Sequence, residues 1–527
     1  MVSSREPLIL AIDQGTQSAR ALIFDPHGTL HAKARIPIEP YFSDQPGWAE
    51  QQPDVYWQAV CQACQQVMAE IGADKERLVG VTLTTQRGTV INLDANYQPL
   101  RPAITWLDQR RVAKPPQLPM MWRTAFRVAG ATDLVWYLQA QAESNWIAQN
   151  QPHIWEKTRW FVLLSGYLTH KLTGNLVDSI GSQVGFIPFE GKDMAWAGPR
   201  SWKWPALSIA REQLPPLVAT GQSLGEITLQ ASKDTGITMG LPVIAAAADK
   251  ACEVLGSGVI AAHQGGLSYG TTATINLTSP RYWEVSPQLP PFPAAIPNEY
   301  NMEVQIYRGY WMVSWFKQQF GHREQRIADE RGVPPEVLFD ELIATIEPGS
   351  RGLILQPYWT PGIRNPGPEA KGAIIGFGDV HTRAHIYRAI LEGVAYALRE
   401  GLEHLEKRGK TKVTELRVAG GGAQSDTAMQ ITADIFGRPA IRPHTYETSG
   451  LGAAICATVG LGLHRDTATA VKAMVREERT FLPQAKHRAT YEALYHKVYK
   501  RLYQRLQPLY EEIAAITGYP PPMSGEE

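Results

Sequence analysis

The chain has 527 residues, too many for one compact core, so two domains are expected. Lys plus Arg and Asp plus Glu each number 51, a balance that favours neither a nucleic-acid polyanion nor an anionic membrane as the main partner. The hydrophobic fraction of 44% suits a globular protein, and the longest apolar stretches reach about eight residues, as at 241–248, where a membrane span needs about 20.

Residues 8–12 are an apolar run that stops at Asp13-Gln14-Gly15-Thr16-Gln17-Ser18. This run is too short for the core of a secretion signal, so a cytoplasmic protein is expected. Residues 19–24 are apolar again and close on Asp25-Pro26-His27-Gly28, and 29–38 continue in short alternation. Strand, turn, strand, turn, strand is the simplest parse. The loop Gln45-Pro46-Gly47-Trp48 precedes a helical pattern over about 53–71. Short strands are expected at 78–83 and 89–93, giving a mixed α/β opening. Residues 115–150 and 153–172 have helical patterns, and 179–205 is loop-rich. The tryptophans between Trp122 and Trp204 are expected to be packing residues.

A strand over 241–244 leads toward Asp249, and the four glycines of 256–266 mark a crossing between domains. The next strand runs into the turn Gly270-Thr271. Residues 280–297 carry six prolines and are expected to lack regular structure. A helix over 383–407, a strand over 415–419, the glycines at 420–422 and a helix over 425–436 follow.

The four cysteines are too few for a disulfide scaffold. Cys61 and Cys64 fall inside a helical pattern and read as reduced helix residues, with no second pair to complete a zinc site. His381 and His385 lack the Glu of an H-E-x-x-H pattern and read as surface histidines.

Each half of the chain opens with a strand that runs into a Gly-Thr turn. Glycine lets backbone approach a ligand closely, successive N–H groups form an anion-binding concavity, and threonine adds a hydroxyl. Asp13 places a carboxylate suited to Mg²⁺ beside the first turn, and Arg20 adds a cation. Gly420-Gly421-Gly422, between a strand and a helix, leaves room for a flat ring or a phosphate against bare backbone. Asp249 follows four alanines at the end of a buried strand, where a carboxylate points into a crevice. A kinase uses such a group to take the proton of an attacking hydroxyl. Gln86-Arg87-Gly88-Thr89 and Trp106-Leu107-Asp108-Gln109 combine an aromatic face with hydrogen-bonding edges, as sugar binding requires.

In this order the set resembles the FGGY carbohydrate kinase family, which includes glycerol kinases and xylulokinases. The likeness runs from about Leu8 to Arg479 and includes 11–16 with Ser18 and Arg20, Gln45-Pro46-Gly47-Trp48, Gly270-Thr271, Pro357-Tyr358-Trp359, 372–376, 385–393, 420–423 and 451–454. The resemblance implies an α/β fold of two actin-like, RNase-H-type domains around a nucleotide and substrate cleft. The N-terminal domain, 1–258, would hold the acceptor and the first phosphate turn. The C-terminal domain, 259–527, would hold the second turn and the adenosine pocket. Asp13, Gly15, Thr16, Gln17, Ser18 and Arg20 would then face phosphate, as would Gly270 and Thr271. Gly421, Gly422 and Asp426 would form the adenosine side. Asp249 matches the catalytic base, and Gln86, Arg87, Trp106, Asp108, Asp249 and Lys250 fall to the acceptor. Asp13 and Asp249 would lie nearest the Mg²⁺ that accompanies ATP. ATP and a small sugar or polyol are the implied partners, and a homo-oligomer, dimer or tetramer, is implied as well.

The chain departs from the family in places. Glycerol kinases carry Gln-Arg-Glu where this chain has Gln86-Arg87-Gly88, and a Gln where Lys250 follows the base. An acceptor other than glycerol is therefore expected. Glu143 and Phe377 also leave the family signatures, at positions expected to be structural. Two rival readings use the same fold: a nucleotide-gated binding protein, and a catalytically reduced nucleotide- or sugar-binding sensor. Asp249 with Arg87 and Trp106 argues against the first, because a non-kinase needs no acceptor pocket.

Overall fold

A computed structural model describes residues 6–287, 289–333, 335–360, 362 and 366–519. Its frame is two β-sheets with the same pairing pattern. In the first, strand Leu8–Gln14 pairs antiparallel with Ser18–Phe24, which pairs antiparallel with Leu30–Pro37. On its other side Leu8–Gln14 pairs parallel with Leu78–Thr85, and that strand pairs parallel with Pro242–Ala245. Ser223–Glu226 closes the edge antiparallel. In the second sheet, Gln264–Tyr269 takes the place of Leu8–Gln14, with Ala273–Ser279 and Tyr300–Ile306 antiparallel on one side. Glu415–Ala419 and Ala440–Pro443 lie parallel on the other, closed by Glu477–Phe481. Strands Leu8–Gln14 and Gln264–Tyr269 are buried throughout and Leu78–Thr85 at all but Val79, as apolar strands covered on both faces must be.

Each sheet has its own core, and a third apolar cluster joins them. Ala11, Leu22 and Phe24 from the first sheet meet Cys252, Leu451, Ala454 and Ile455 there. Helix Thr448–Gly460 follows the second sheet's strands in sequence yet lies against Leu8–Gln14 and Leu78–Thr85 of the first. It crosses helix Asp249–Gly256 at bare glycines. A Cβ on Gly452 would sit 1.9 Å from the carbonyl oxygen of Cys252, and one on Gly256 would sit 2.0 Å from that of Thr448. This crossing fixes the two sheets relative to each other. The carboxyl ends of the parallel strands, where open α/β sheets bind ligands, carry the Asp13–Ser18 and Gly270–Thr272 turns.

The paired α/β domains expected from the sequence are present, with local differences. The 115–150 pattern is three helices, Met120–Val128, Thr132–Gln141 and Glu143–Asn150. The 153–172 pattern is broken by strand Trp160–Leu163, which pairs with Val90–Leu93. A short buried strand and a buried helix segment have the same apolar signature, so periodicity did not separate them. The proline-rich segment forms one two-residue strand, Phe292–Pro293, at a sheet edge, where proline's missing N–H costs no ladder bond. His385 is buried, not at the surface, and its Nδ1 accepts the Thr382 N–H at 3.1 Å as a helix cap. Helix Pro53–Ile71 holds Cys61 and Cys64 buried and unbridged. The tryptophans of the insert pack against aromatic neighbours: Trp146 meets Trp48 edge-on at 5.1 Å, and Phe126 meets Trp202 at 5.1 Å. Among the described residues no helix is long and apolar enough to cross a membrane.

Candidate active site

The first turn is tight. The Gly15 N–H donates to the Ser18 carbonyl at 3.0 Å, which bends the backbone so that Thr16 and Gln17 project from the sheet edge. Asp13, buried on the last turn of its strand, accepts Arg20 Nη1 at 2.8 Å. Arg20 Nε also lies 3.5 Å from Glu447. Burial raises the Asp13 pKa to about 6, with Arg20 opposing and the Asp249 charge adding to the rise. Asp13 is thus ionised at neutral pH and electrostatically coupled to Asp249. Ser18 is buried and its hydroxyl accepts Arg35 Nε at 3.2 Å, so it braces the turn from behind. Thr16 Oγ1 accepts Trp106 Nε1 at 3.0 Å, which ties the turn to the next loop.

The second turn has no carboxylate of its own. Its cation comes from the other domain. Lys250, on the helix that Asp249 opens, sends its ammonium to Ser268 Oγ at 2.6 Å and Glu253 Oε2 at 2.7 Å. An ideal Cβ on Gly270 would lie 3.8 Å from Lys250 Nζ. Burial pulls the Lys250 pKa down, but the Glu253 and Asp249 carboxylates outweigh it and hold the group above its ordinary value. The ammonium is therefore charged, with one of its three N–H bonds left over.

Asp249 is placed by the small residues before it. Residues 245–248 are buried alanines, and Thr84 Oγ1 donates to the Ala247 carbonyl at 2.8 Å. The Ala248 N–H donates to Gly181 at 3.0 Å. Asp249 then starts helix Asp249–Gly256, with Ala248 as its cap. Burial raises its pKa, against Arg87 and Lys250, which lower it.

Asp249 lines a cavity of about 320 Å³ between the domains, together with Thr16, Gln86, Arg87, Trp106 and Lys250. The sequence had assigned Thr16 to the first phosphate turn and the other five to the acceptor, and the fold brings all six to the lining of one cavity. Arg87 reaches across the cleft: its Nη2 donates to both carboxylate oxygens of Glu303, at 2.8 and 2.9 Å, and its guanidinium lies 4.6 Å from the Phe292 ring centre. Gln86 donates to the Tyr56 hydroxyl at 3.4 Å, while its buried Oε1 has no partner. Asp108 also borders the cavity but is not free to bind an acceptor. Its two oxygens take four N–H bonds, from Ala49 at 2.6 Å and from Arg110 at 2.7, 2.8 and 2.9 Å. It holds the wall in place.

The three glycines differ in what they do. Gly420 has φ +87 and ψ 169, a conformation that is almost glycine's alone, and an added Cβ would lie 2.8 Å from the Tyr269 backbone. An added Cβ on Gly422 would strike the Tyr310 ring at 2.2 Å. Only Gly421 faces open space, with nothing within 4 Å of that position. Asp426 begins helix Asp426–Phe436 and accepts Arg442 Nη2 at 2.6 Å, and Arg479 also pairs with it.

Sequence reasoning did not find Glu303 or Phe292, because both come from the opposite domain and carry no motif. Glu143, expected to be structural, instead lines the cavity. Its departure from the family signature was the available signal. Phe377 is an exposed ring 6.0 Å from His381. Among the described residues there is no cluster of three metal-ligating side chains. Asp13 and Asp249 are hard oxygen donors of the type Mg²⁺ accepts, and two carboxylates suit an ion held mainly by nucleotide phosphates.

Comparisons with known proteins place the chain in a family. The model for the FGGY family of carbohydrate kinases, N-terminal domain, matches residues 8–256, and that for the C-terminal domain matches 265–461. The uncharacterized sugar kinase YgcE of Escherichia coli is 30% identical over 493 residues, covering 92% of this chain and 91% of that protein. The xylulose kinase of Lactococcus lactis is 29% identical over 502 residues, covering 92% and 94%. The solved xylulose kinase of Rhodospirillum rubrum superposes with a TM-score of 0.78 at 25% identity, over 96% of this chain and 100% of that one. The two domains have the actin-like fold of those kinases.

Proposed function

Because the chain belongs to the FGGY family of carbohydrate kinases and is itself an ATP-dependent carbohydrate kinase, we propose that the cavity beside Asp249 is its acceptor site and that Asp249 is its general base. The carrying observation is that Asp249, Arg87 and Trp106 line the same cavity as Thr16 of the first turn. In the proposed reaction the Asp249 carboxylate takes the proton of a substrate hydroxyl as that oxygen attacks the γ-phosphorus. The bond from γ-phosphorus to the bridging oxygen breaks, and ADP leaves with that electron pair. The N–H groups around Thr16 and Thr271 stabilise charge on the phosphoryl oxygens. Lys250 supports that same group, because its ammonium lies against Ser268 at the second turn. Asp13 and Asp249 are the residues that would hold the Mg²⁺ accompanying ATP, which would neutralise phosphate charge. Arg87 positions the acceptor, with Glu303 and Phe292 fixing its guanidinium.

Residues 1–258 supply the acceptor wall and first turn in this reading, and residues 259–527 the second turn and the open face at Gly421. ATP as co-substrate supports a cytoplasmic setting. Family resemblance supports a homo-oligomer, which sedimentation would measure.

Glycerol is not the proposed acceptor. Gly88 contributes no side chain beside Arg87, and the cavity extends to Tyr137, Gln141 and Glu143. Relatives named xylulose kinase make D-xylulose the first acceptor to test. The experiment is ADP release with pentuloses, hexuloses, alditols and glycerol. Strong stimulation by one sugar or larger polyol is expected. Stimulation by none sinks the acceptor-site reading, and glycerol as the best acceptor sinks the exclusion of glycerol.

A further inference from the structure

Glu143 opens helix Glu143–Asn150 and lines the cavity that holds Asp249, Arg87 and Trp106. Besides Asp249, the proposed base, it is the acid lining that cavity whose carboxyl no other side chain holds. Asp108 has both oxygens filled, as described above. Arg110, whose charge acts on Glu143, is spent on Asp108 at 2.7 Å and on Glu50 at 2.8 Å. Arg87 is held by Glu303, and Lys250 by Glu253 and Ser268. Among the described residues no side chain makes a hydrogen bond or ion pair with Glu143 that would remove it from the cavity.

We propose that Glu143 is a specificity-determining residue of the acceptor cavity, donating one hydrogen bond to an acceptor oxygen and accepting another from a hydroxyl. The inference rests on the reading of this cavity as the acceptor site. A neutral carboxyl has one donor and one acceptor side by side, which matches a polyhydroxy ligand whose every oxygen both gives and takes.

The protonation state agrees with that role. Burial raises the Glu143 pKa to about 8, its own backbone N–H opposes the rise, the Asp108 charge adds to it, and Arg110 opposes it. Tyr137, on the helix before it, also borders the cavity. With its pKa raised, Glu143 keeps its proton at neutral pH and loses it as pH rises through about 8. Ionisation removes the donor and places a second anion beside Asp108. Acceptor binding should weaken across that range.

The test uses the full-length enzyme with D-xylulose, or the best carbohydrate of the panel above, in a coupled ADP assay at pH 7 and pH 9. Glu143→Ala is expected to raise the acceptor KM about tenfold at pH 7, the worth of one buried hydrogen bond, with the ATP KM unmoved. Glu143→Gln keeps a donor and an acceptor at every pH. The acceptor KM of the wild type should therefore rise between pH 7 and pH 9 relative to that of Glu143→Gln. A merely structural Glu143 would move both KM values or only the melting temperature. An unchanged acceptor KM in Glu143→Ala, or the same alkaline rise in Glu143→Gln, overturns the inference alone. A wild type that phosphorylates no carbohydrate in the panel overturns the cavity reading and this inference together.

Discussion

The two turns at the cleft are built alike and charged differently. Each joins a central strand to an antiparallel neighbour, at the carboxyl end of parallel strands. The first carries its own acid and cation, Asp13 and Arg20, and is extended by Glu447 and Lys33, whose ammonium lies 3.0 Å from Glu447. The second offers hydroxyls, and its cation is Lys250 from the other domain. Backbone pairing alone makes the same turn in both halves. The two halves differ in the side chains added to that shared frame, above all Asp249 and Arg87, on which the proposed acceptor site rests.

Five substitutions break or sharpen this contrast. Asp249→Asn should produce the largest effect, lowering kcat by about 10²–10⁴, the range for a general base. Near-normal turnover on the true acceptor would remove Asp249 from the chemistry. Lys250→Met tests whether the second turn depends on its borrowed cation. A kcat loss of about 10² with little change in acceptor KM is expected, as for removal of one preorganised donor. Were the acceptor KM to rise while kcat held, the ammonium would serve the acceptor instead.

Arg87→Ala should raise the acceptor KM by about 10–10² and leave the ATP KM alone, because it strips a binding cation and leaves Glu303 buried without its partner. A matching rise in ATP KM would make the Arg87–Glu303 link a general closure contact. The smallest effects belong to the glycines. Gly420→Ala should cost about 1–3 kcal/mol of stability, read as a lower melting temperature, because its backbone conformation excludes a side chain. Gly421→Ala should leave stability intact and raise the ATP KM by roughly threefold, less than the worth of one hydrogen bond. Equal behaviour of the two variants would refute the division between a packing glycine and a ligand-facing one.

Much of the frame was readable from short stretches. Strand Glu415–Ala419 and helix Pro53–Ile71 fall where the pattern placed them, since an apolar run or a 3.6-residue period depends on neighbours in sequence. Strand Trp160–Leu163 was not readable, because its short, mostly buried apolar run has the pattern of a helix interior. Within the site, Asp13, Thr16, Arg87, Trp106 and Asp249 were legible because each stands at a strand end or in a turn. Asp108 stood in an equally plausible loop, and only its four N–H partners assign it to the wall.

By itself the sequence determined two glycine turns at strand ends, a carboxylate after a run of alanines, and membership of a kinase family. The turns and the strand-end carboxylate follow from local backbone freedom and hydrophobic period, which act over a few residues, and the family follows from the resemblance of the whole motif set. The tertiary structure decided which groups face one another: Arg87 with Glu303, Lys250 with Ser268, and Glu143 with the cavity. Those pairings join segments distant in the chain. They depend on how two sheets are set by a helix crossing at Gly256 and Gly452, where a single added carbon would hold the domains apart.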